Sequence, residues 1–212
     1  MKIAICGYKG KTGSKVYDLL KENNYDVIGI EKKDKLLDFI NSIDLLIDFT
    51  NKTEALKHIF MCLDFKKPFI VGTTGFTYDE LALIKKYCNI EKVKGIISYN
   101  FSMPLNWILN QFDFFNKHFN EFNYLDIHHV SKLDKTSGTT YLFLLKNNKI
   151  KVKSVKTNKN SVTYMIQMSS KYDKIVITYQ VVDKIVFAKG ILHYLQTKDE
   201  SLFMNLLDWY GY

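Results

Sequence analysis

Through the first hundred residues, short apolar runs alternate with stretches whose apolar positions recur every three or four residues. A short continuous apolar run reads as a strand buried on both faces, and the three-to-four spacing marks one face of a helix. The alternation therefore predicts a parallel sheet covered by helices. The strands fall at 2–6, 26–31, 44–49, 68–72 and 93–98. Leu56, Ile59, Phe60 and Leu63 line one side of a helix between the third and fourth strands, and Leu81, Ile84, Lys85 and Cys88 follow the same spacing less cleanly. The expected architecture is a doubly wound α/β unit over residues 1–101. After Asn100 the rhythm changes: an aromatic-rich helix over 103–118 leads into period-two runs at 123–129, 149–156, 161–168 and 174–183. These predict a second, smaller α+β unit of mostly antiparallel strands over 102–184. A last amphipathic helix over 200–209, with Leu202, Phe203, Leu206 and Leu207 on one side, is expected to pack back onto the first unit, so that 185–212 complete it.

Composition fits a folded chain of one or two domains: 212 residues, 47% apolar, 25% charged and only two prolines. Three cysteines, Cys6, Cys62 and Cys88, are too few for a disulfide framework and read as reduced thiols of a cytoplasmic protein. The first apolar run stops at Gly7, and nothing approaches the roughly 20 apolar residues of a membrane span, so neither export nor membrane insertion is expected. All thirty basic residues are lysine, and +6 of the net +8 falls in 102–184, where an anionic partner is expected. Lys149, Lys151 and Lys153 alternate with Ile150 and Val152, the pattern of a solvated edge strand whose field also attracts small anions. The aromatics there do not interleave with the lysines as a stacking platform requires, which argues against nucleic acid.

Four clusters carry candidate chemistry. Gly7-Tyr8-Lys9-Gly10-Lys11-Thr12-Gly13 follows the first strand and opens a helix, where a dinucleotide pyrophosphate meets backbone N–H groups. Its G-x-x-G-x-x-G spacing equally suits a plain glycine-rich turn. Glu31, 24 residues after Gly7, stands where a carboxylate would bind ribose hydroxyls, and Lys32 and Lys33 suit a 2′-phosphate; a solvated charged turn is the bland alternative. Gly72-Thr73-Thr74-Gly75-Phe76 lies at the carboxyl edge of the sheet, where small residues let a nicotinamide approach the backbone, though it also reads as an ordinary loop. The densest cluster is Asp126-Ile127-His128-His129-Val130-Ser131-Lys132-Leu133-Asp134, followed by Ser137-Gly138-Thr139. Two imidazoles and an ammonium suit proton transfer, and Ser-Gly-Thr before an apolar run suits a helix start that binds a carboxylate. A surface pair of histidines is the alternative. Adjacent histidines diverge on a strand and no further ligand stands at metal spacing, so no metal is expected.

In this order the segments resemble the dihydrodipicolinate reductase family, NAD(P)H enzymes of diaminopimelate and lysine biosynthesis. Gly7–Gly13 stands for the family's glycine loop, Glu31-Lys32 for its acidic-basic pair, Ile47-Asp48-Phe49-Thr50 for its I-D-F-T and Val71–Phe76 for its G-T-T-G-F. Asn100-Phe101-Ser102 matches its N-F-S, residues 126–139 its E-x-H-H-x-x-K-x-D-A-P-S-G-T, and Phe187-Ala188-Lys189-Gly190 its F-A-x-G. The chain departs from the family at Asp126, Lys135-Thr136 and Lys11-Thr12, and its stretch after Thr139 is much shorter, as in a shortened and divergent member. The resemblance implies a Rossmann-type first unit and reduction of a small cyclic dicarboxylate by NADH or NADPH. It further implies a homo-oligomer, a tetramer in the family. It casts His128 and Lys132 as catalytic proton donors or acceptors, with His129, Ser137, Gly138 and Thr139 holding substrate carboxylates. Cofactor contacts would come from Gly7, Tyr8, Lys9, Gly10, Lys11, Thr12, Glu31, Lys32, Gly72, Thr73, Thr74, Ser98, Tyr99, Asn100 and Phe101. A dinucleotide-binding redox sensor is the competing reading of the same glycine loop.

Overall fold

The computed structural model describes residues 1–130, 137–158, 162–199, 201 and 203–209. Five parallel strands, β1 (Lys2–Cys6), β2 (Asp26–Ile30), β3 (Leu45–Asp48), β4 (Phe69–Val71) and β5 (Gly95–Ile97), form one sheet in the order β2-β1-β3-β4-β5. β1 fills its expected span, and the other four strands sit inside theirs and end one residue earlier, at the loops that carry the candidate chemistry. Strand order reverses between β1 and β3, and in open parallel sheets ligands bind beyond the carboxyl ends of the strands at such a switch point.

Alternation along β1 shows how the core is divided. Ala4 and Cys6 face α2 (Lys52–Asp64) and α3 (Tyr78–Glu91), whereas Ile3 and Ile5 face α1 (Gly13–Glu22). Local chemistry fixes the helix starts: Asn51 Oδ1 accepts from the Glu54 N–H at 3.2 Å, and Thr77 with Glu80 forms a capping box.

The predicted helix over 103–118 is two helices, α4 (Met103–Asn110) and α5 (Phe112–His118). At the junction the Gln111 N–H bonds Ile108 three residues back, which tightens the last turn and lets both Leu109 and Phe112 enter the core. Beyond them β6 (Glu121–His129), β7 (Lys151–Thr157), β8 (Val162–Ser169) and β9 (Lys174–Val181) form a second sheet in the order β7-β6-β8-β9. Two pairings are antiparallel and the β6–β7 pairing is parallel, because α6 (Gly138–Lys146) carries the chain back to the start of the sheet. β7 is the lysine-rich strand and lies at an exposed edge.

The expected C-terminal helix over 200–209 is replaced by α7 (Ile185–Thr197) and a single helical turn, α8 (Leu206–Trp209). Here α7 packs beside α1 and, with Ala188, Ile191, Tyr194 and Leu195, covers the Ile3 and Ile5 face of the first sheet. A Cβ on Gly190 would overlap the Phe101 carbonyl oxygen, so glycine is what lets this helix lie against the crossing between the two sheets. Asn106 ties the same region together: its Nδ2 donates to the Asn100 and Ser102 carbonyls, each at 2.8 Å, and its Oδ1 accepts from the Met204 N–H at 2.9 Å. No helix among the described residues is long and apolar enough to cross a membrane.

Candidate active site

Two adjoining grooves open at the carboxyl edge of the first sheet. The first, about 470 Å³, lies at the β1/β3 switch point and is lined by Gly7, Tyr8, Lys9, Gly10, Glu31 and Lys32, among others. The second, about 590 Å³, is lined by Thr73, Thr74, Gly75, Phe76 and Tyr99 from the first sheet's loops and by Ser137, Gly138 and Tyr141 from the start of α6. Thr50 and Asn51 belong to both, so the two form one cleft.

The glycine loop is shaped for close approach. Gly7 has φ +79°, and a Cβ there would stand 2.6 Å from the Phe49 carbonyl oxygen. Its own carbonyl accepts from the Gly10 N–H at 2.9 Å. A Cβ on Gly10 would meet only that carbonyl, at 3.1 Å, so its outer side is open to the groove. This is space that a phosphate fills and a side chain would block, at the start of a helix, so the residues fit a dinucleotide pyrophosphate. Next to it Glu31 accepts from Lys9 Nζ at 2.6 Å and from the Tyr8 hydroxyl at 3.2 Å, and Lys33 Nζ is 3.9 Å away. The Lys9 hydrogen bond holds the Glu31 carboxyl below its ordinary range.

At the other end, Gly138 brings the two sheets' elements into contact, because a Cβ there would stand 2.7 Å from Thr74 Cγ2 and 2.9 Å from Tyr99 Cβ. Ser137 caps α6 by accepting from the Thr140 N–H at 3.0 Å. Tyr99 accepts at its hydroxyl from the Phe76 N–H at 3.0 Å, and burial pushes that phenol up to about 12. The helix start therefore faces the Gly72–Phe76 loop across the second groove.

His128 and His129 occupy opposite faces of β6, as the strand's two-residue period requires. His128 shares its face with Asp126, and its Nε2 is 2.5 Å from the buried Asp126 Oδ1. The Thr140 hydroxyl donates to Asp126 Oδ2 at 2.5 Å. Burial works to raise the Asp126 carboxyl, but hydrogen bonds from His128, Thr140 and Ser137 outweigh it and hold the group below its usual value. Asp126 thus ties the His128 ring to the start of α6.

Several expected residues lie elsewhere. Ser98, Asn100 and Phe101 are buried: the Ser98 hydroxyl donates to the Asn100 carbonyl, Asn100 Nδ2 donates to Thr139 Oγ1 at 2.9 Å, and Phe101 packs on Phe49 and Phe203. Their side chains, and that of Thr139, join the two parts of the fold and do not line the cleft. Lys11, Thr12, Gly72, His128 and His129 also stand outside the two grooves' linings. Lys132 lies outside the described residues. The sequence reading did not single out Asn51, Lys52, His58 or Tyr141, all of which line the cleft. Nor did it assign a role to Asp48, which it met only within the I-D-F-T segment; of these residues, Asp48 alone had that signal.

Cys6, Asp48 and His58 offer ligand atoms within 4.8 Å of one another. Burial, with Asp48 beside them, pushes the Cys6 thiol far up and the Cys62 thiol up to about 12. The Asp48 carboxylate is already occupied by hydrogen-bond donors, so the cluster has the chemistry of a hydrogen-bonded core.

The family model described as dihydrodipicolinate reductase, N-terminus, matches residues 1–101. The 4-hydroxy-tetrahydrodipicolinate reductase of Wigglesworthia glossinidia brevipalpis is 31% identical over 207 residues, covering 91% of this chain and 77% of the relative. That of Thermosipho africanus is 26% identical over 197 residues, covering 91% of this chain and 88% of its own. Among solved structures, dipicolinate-bound dihydrodipicolinate reductase from Paenisporosarcina sp. TG-14 superposes with a TM-score of 0.72 at 19% identity, over 92% of this chain and 93% of that one. At that identity the likeness concerns the fold.

Proposed function

The chain belongs to the dihydrodipicolinate reductase family, and from that membership we propose that it reduces 4-hydroxy-tetrahydrodipicolinate to tetrahydrodipicolinate with NADH or NADPH. The observation that carries the reading is the cleft itself: a glycine cradle with Glu31 and Lys32 at one end, and the Gly72–Phe76 loop facing the start of α6 at the other.

Loss of the C4 hydroxyl as water leaves an unsaturated ring imine, and reduced nicotinamide, when bound, would supply a hydride to its C4. The chain's residues bind, orient and protonate. Gly7 and Gly10 leave room for the pyrophosphate, and Glu31 and Lys32 face the adenosine ribose. Thr73 and Thr74 stand where the nicotinamide end would lie. Ser137 and the N–H groups at the start of α6, with His129, hold the substrate carboxylates. Lys132 donates the proton that quenches the charge left by hydride addition, and His128, kept in orientation by Asp126, assists that transfer. Thr139 is buried against Asn100, so its part is to fix the helix start.

We further propose that the protein works in the cytoplasm as a homo-oligomer. Leu125, Ile127, Val155, Met165 and Val176 share the face of the second sheet that is only partly buried, a surface suited to a second copy of the chain. The test is a coupled assay in which freshly made synthase product is mixed with the protein and either cofactor, and the loss of reduced nicotinamide is followed. Turnover is expected, and Lys132→Ala should lower kcat by orders of magnitude while cofactor binding stays intact. Wild-type protein that binds cofactor yet leaves the substrate unreduced would overturn the reading, and full activity in a Lys132→Ala, His128→Ala double variant would overturn the residue roles.

A further inference from the structure

Asp48 and His58 form a pair for which the reduction has no use. Asp48 ends β3 and is fully buried; its Oδ1 accepts from the Thr50 N–H at 2.9 Å, the Thr50 hydroxyl at 2.8 Å and the Thr73 hydroxyl at 3.0 Å. Its Oδ2 meets His58 Nδ1 at 2.7 Å. A carboxylate can only accept, so this contact places the proton on Nδ1 and sets the ring's tautomer. Among the described residues it is the one hydrogen bond the ring makes, which leaves Nε2 to be engaged. His58 is also part of the wall of the groove that Gly7, Gly10 and Glu31 line. Ala55 and Cys62, three residues before and four after it on α2, are fully buried, so position 58 sits where the helix meets the sheet and an apolar residue would ordinarily stand. A polar ring there, anchored inward and bordering the groove on its other side, is arranged as a binding group.

We propose that His58 contacts the adenosine half of the dinucleotide through Nε2, which accepts from an O–H or N–H of the ribose or purine, and that Asp48 is the residue that positions it. The proposal rests on the reading of this groove as the dinucleotide site. Thr50 and Thr73, held by the same carboxylate, line the second groove, so one buried anion sets wall residues along the whole cleft. The other charged residues lining this groove are Glu54 on α2, Glu31, Lys32 and Asp34 after β2, and Lys9 in the glycine loop.

Two substitutions separate contact from scaffold. In His58→Asn the amide nitrogen can take the Nδ1 bond to Asp48 but reaches no further, whereas in His58→Gln the amide reaches the Nε2 position. Titrations with ADP-ribose, NADH and reduced nicotinamide mononucleotide are expected to show His58→Asn binding the first two about five- to tenfold more weakly, with the mononucleotide unchanged. His58→Gln should recover most of the loss. Wild-type affinity for ADP-ribose in His58→Asn, or an equal loss for the mononucleotide, would overturn the proposal. Independently of how the variants fold, wild-type protein with labelled histidines should show ADP-ribose shifting the Nε2 signal of one of its five imidazoles, and no shift would also overturn it. Wild-type protein that binds neither ADP-ribose nor NADH would refute the reductase reading along with the proposal. Normal binding and turnover in His58→Asn would refute the proposal alone.

Discussion

Gly10 and Gly13 lie three residues apart in one loop, yet the structure gives them different tasks, and alanine at each should fail differently. A Cβ on Gly13 would overlap the Gly7 carbonyl oxygen and stand 2.9 Å from the Gly7 carbonyl carbon and 3.1 Å from Tyr8 Cα. All three are backbone atoms of a turn that Phe49 crowds from the other side, so none can swing away as a side-chain tip would. Overpacking of this kind costs about 1–3 kcal/mol, and replacing a helical glycine by alanine returns at most about 1 kcal/mol. At about 2–4 °C per kcal/mol for a chain of this size, a net loss near 2 kcal/mol lowers Tm by roughly 4–8 °C. Gly10→Ala meets only the Gly7 carbonyl oxygen, at 3.1 Å, and otherwise projects into the groove. Its Tm should stay within about 2 °C of wild type while its Kd for NADH or NADPH rises at least about tenfold, because the methyl occupies phosphate space. Thermal melts and fluorescence titrations of both variants check this. Wild-type cofactor affinity in Gly10→Ala would refute the phosphate-cradle argument, and an unchanged melt in Gly13→Ala would refute the contact argument.

Asp126→Asn removes the charge beside His128 while keeping its shape. It should lower kcat by about tenfold or more with KM little changed, the loss expected for one charge-assisted hydrogen bond, and unchanged kcat would remove Asp126 from the positioning of His128. Because the Asp126 carboxyl is held below its ordinary value in the fold, its stabilisation is complete above about pH 4 and is lost as pH falls through the folded value. Below that pH the Tm of Asp126→Asn should therefore fall less steeply than that of wild type, and parallel curves would contradict the assignment. Asn106→Ala leaves the Asn100 and Ser102 carbonyls and the Met204 N–H without their partner. A cost of about 2–4 kcal/mol, read as a Tm lower by roughly 5–15 °C, is expected, and a shift under about 2 °C would show that water replaces the amide.

The parallel sheet was legible because buried strands are written as short apolar runs, and their ends shifted by no more than two residues. Helix α7 was not: Gly190 interrupts the helical pattern, and its reason, the Phe101 carbonyl against the helix, is a contact nearly ninety residues away in sequence. The break at Gln111 was hidden by an apolar pattern that continues through it. At the cleft, the glycine loop and the Gly72–Phe76 loop were readable because backbone shape demands particular residues. Ser98, Asn100 and Phe101 were expected to contact the cofactor, yet their side chains are buried where the chain crosses between its sheets. The pairing of His58 with Asp48 had no local signature, since it joins the interior of one helix to the end of a strand.

Because α7 closes the Ile3 and Ile5 face of the first sheet, the order of synthesis matters. A ribosome that has delivered β1 through β5 has made every strand of that sheet and α1, but not α7, and nearly ninety more residues must emerge before the cover of that side is complete. During that interval the nascent chain presents bare valine, isoleucine and leucine to chaperones and to other unfinished copies.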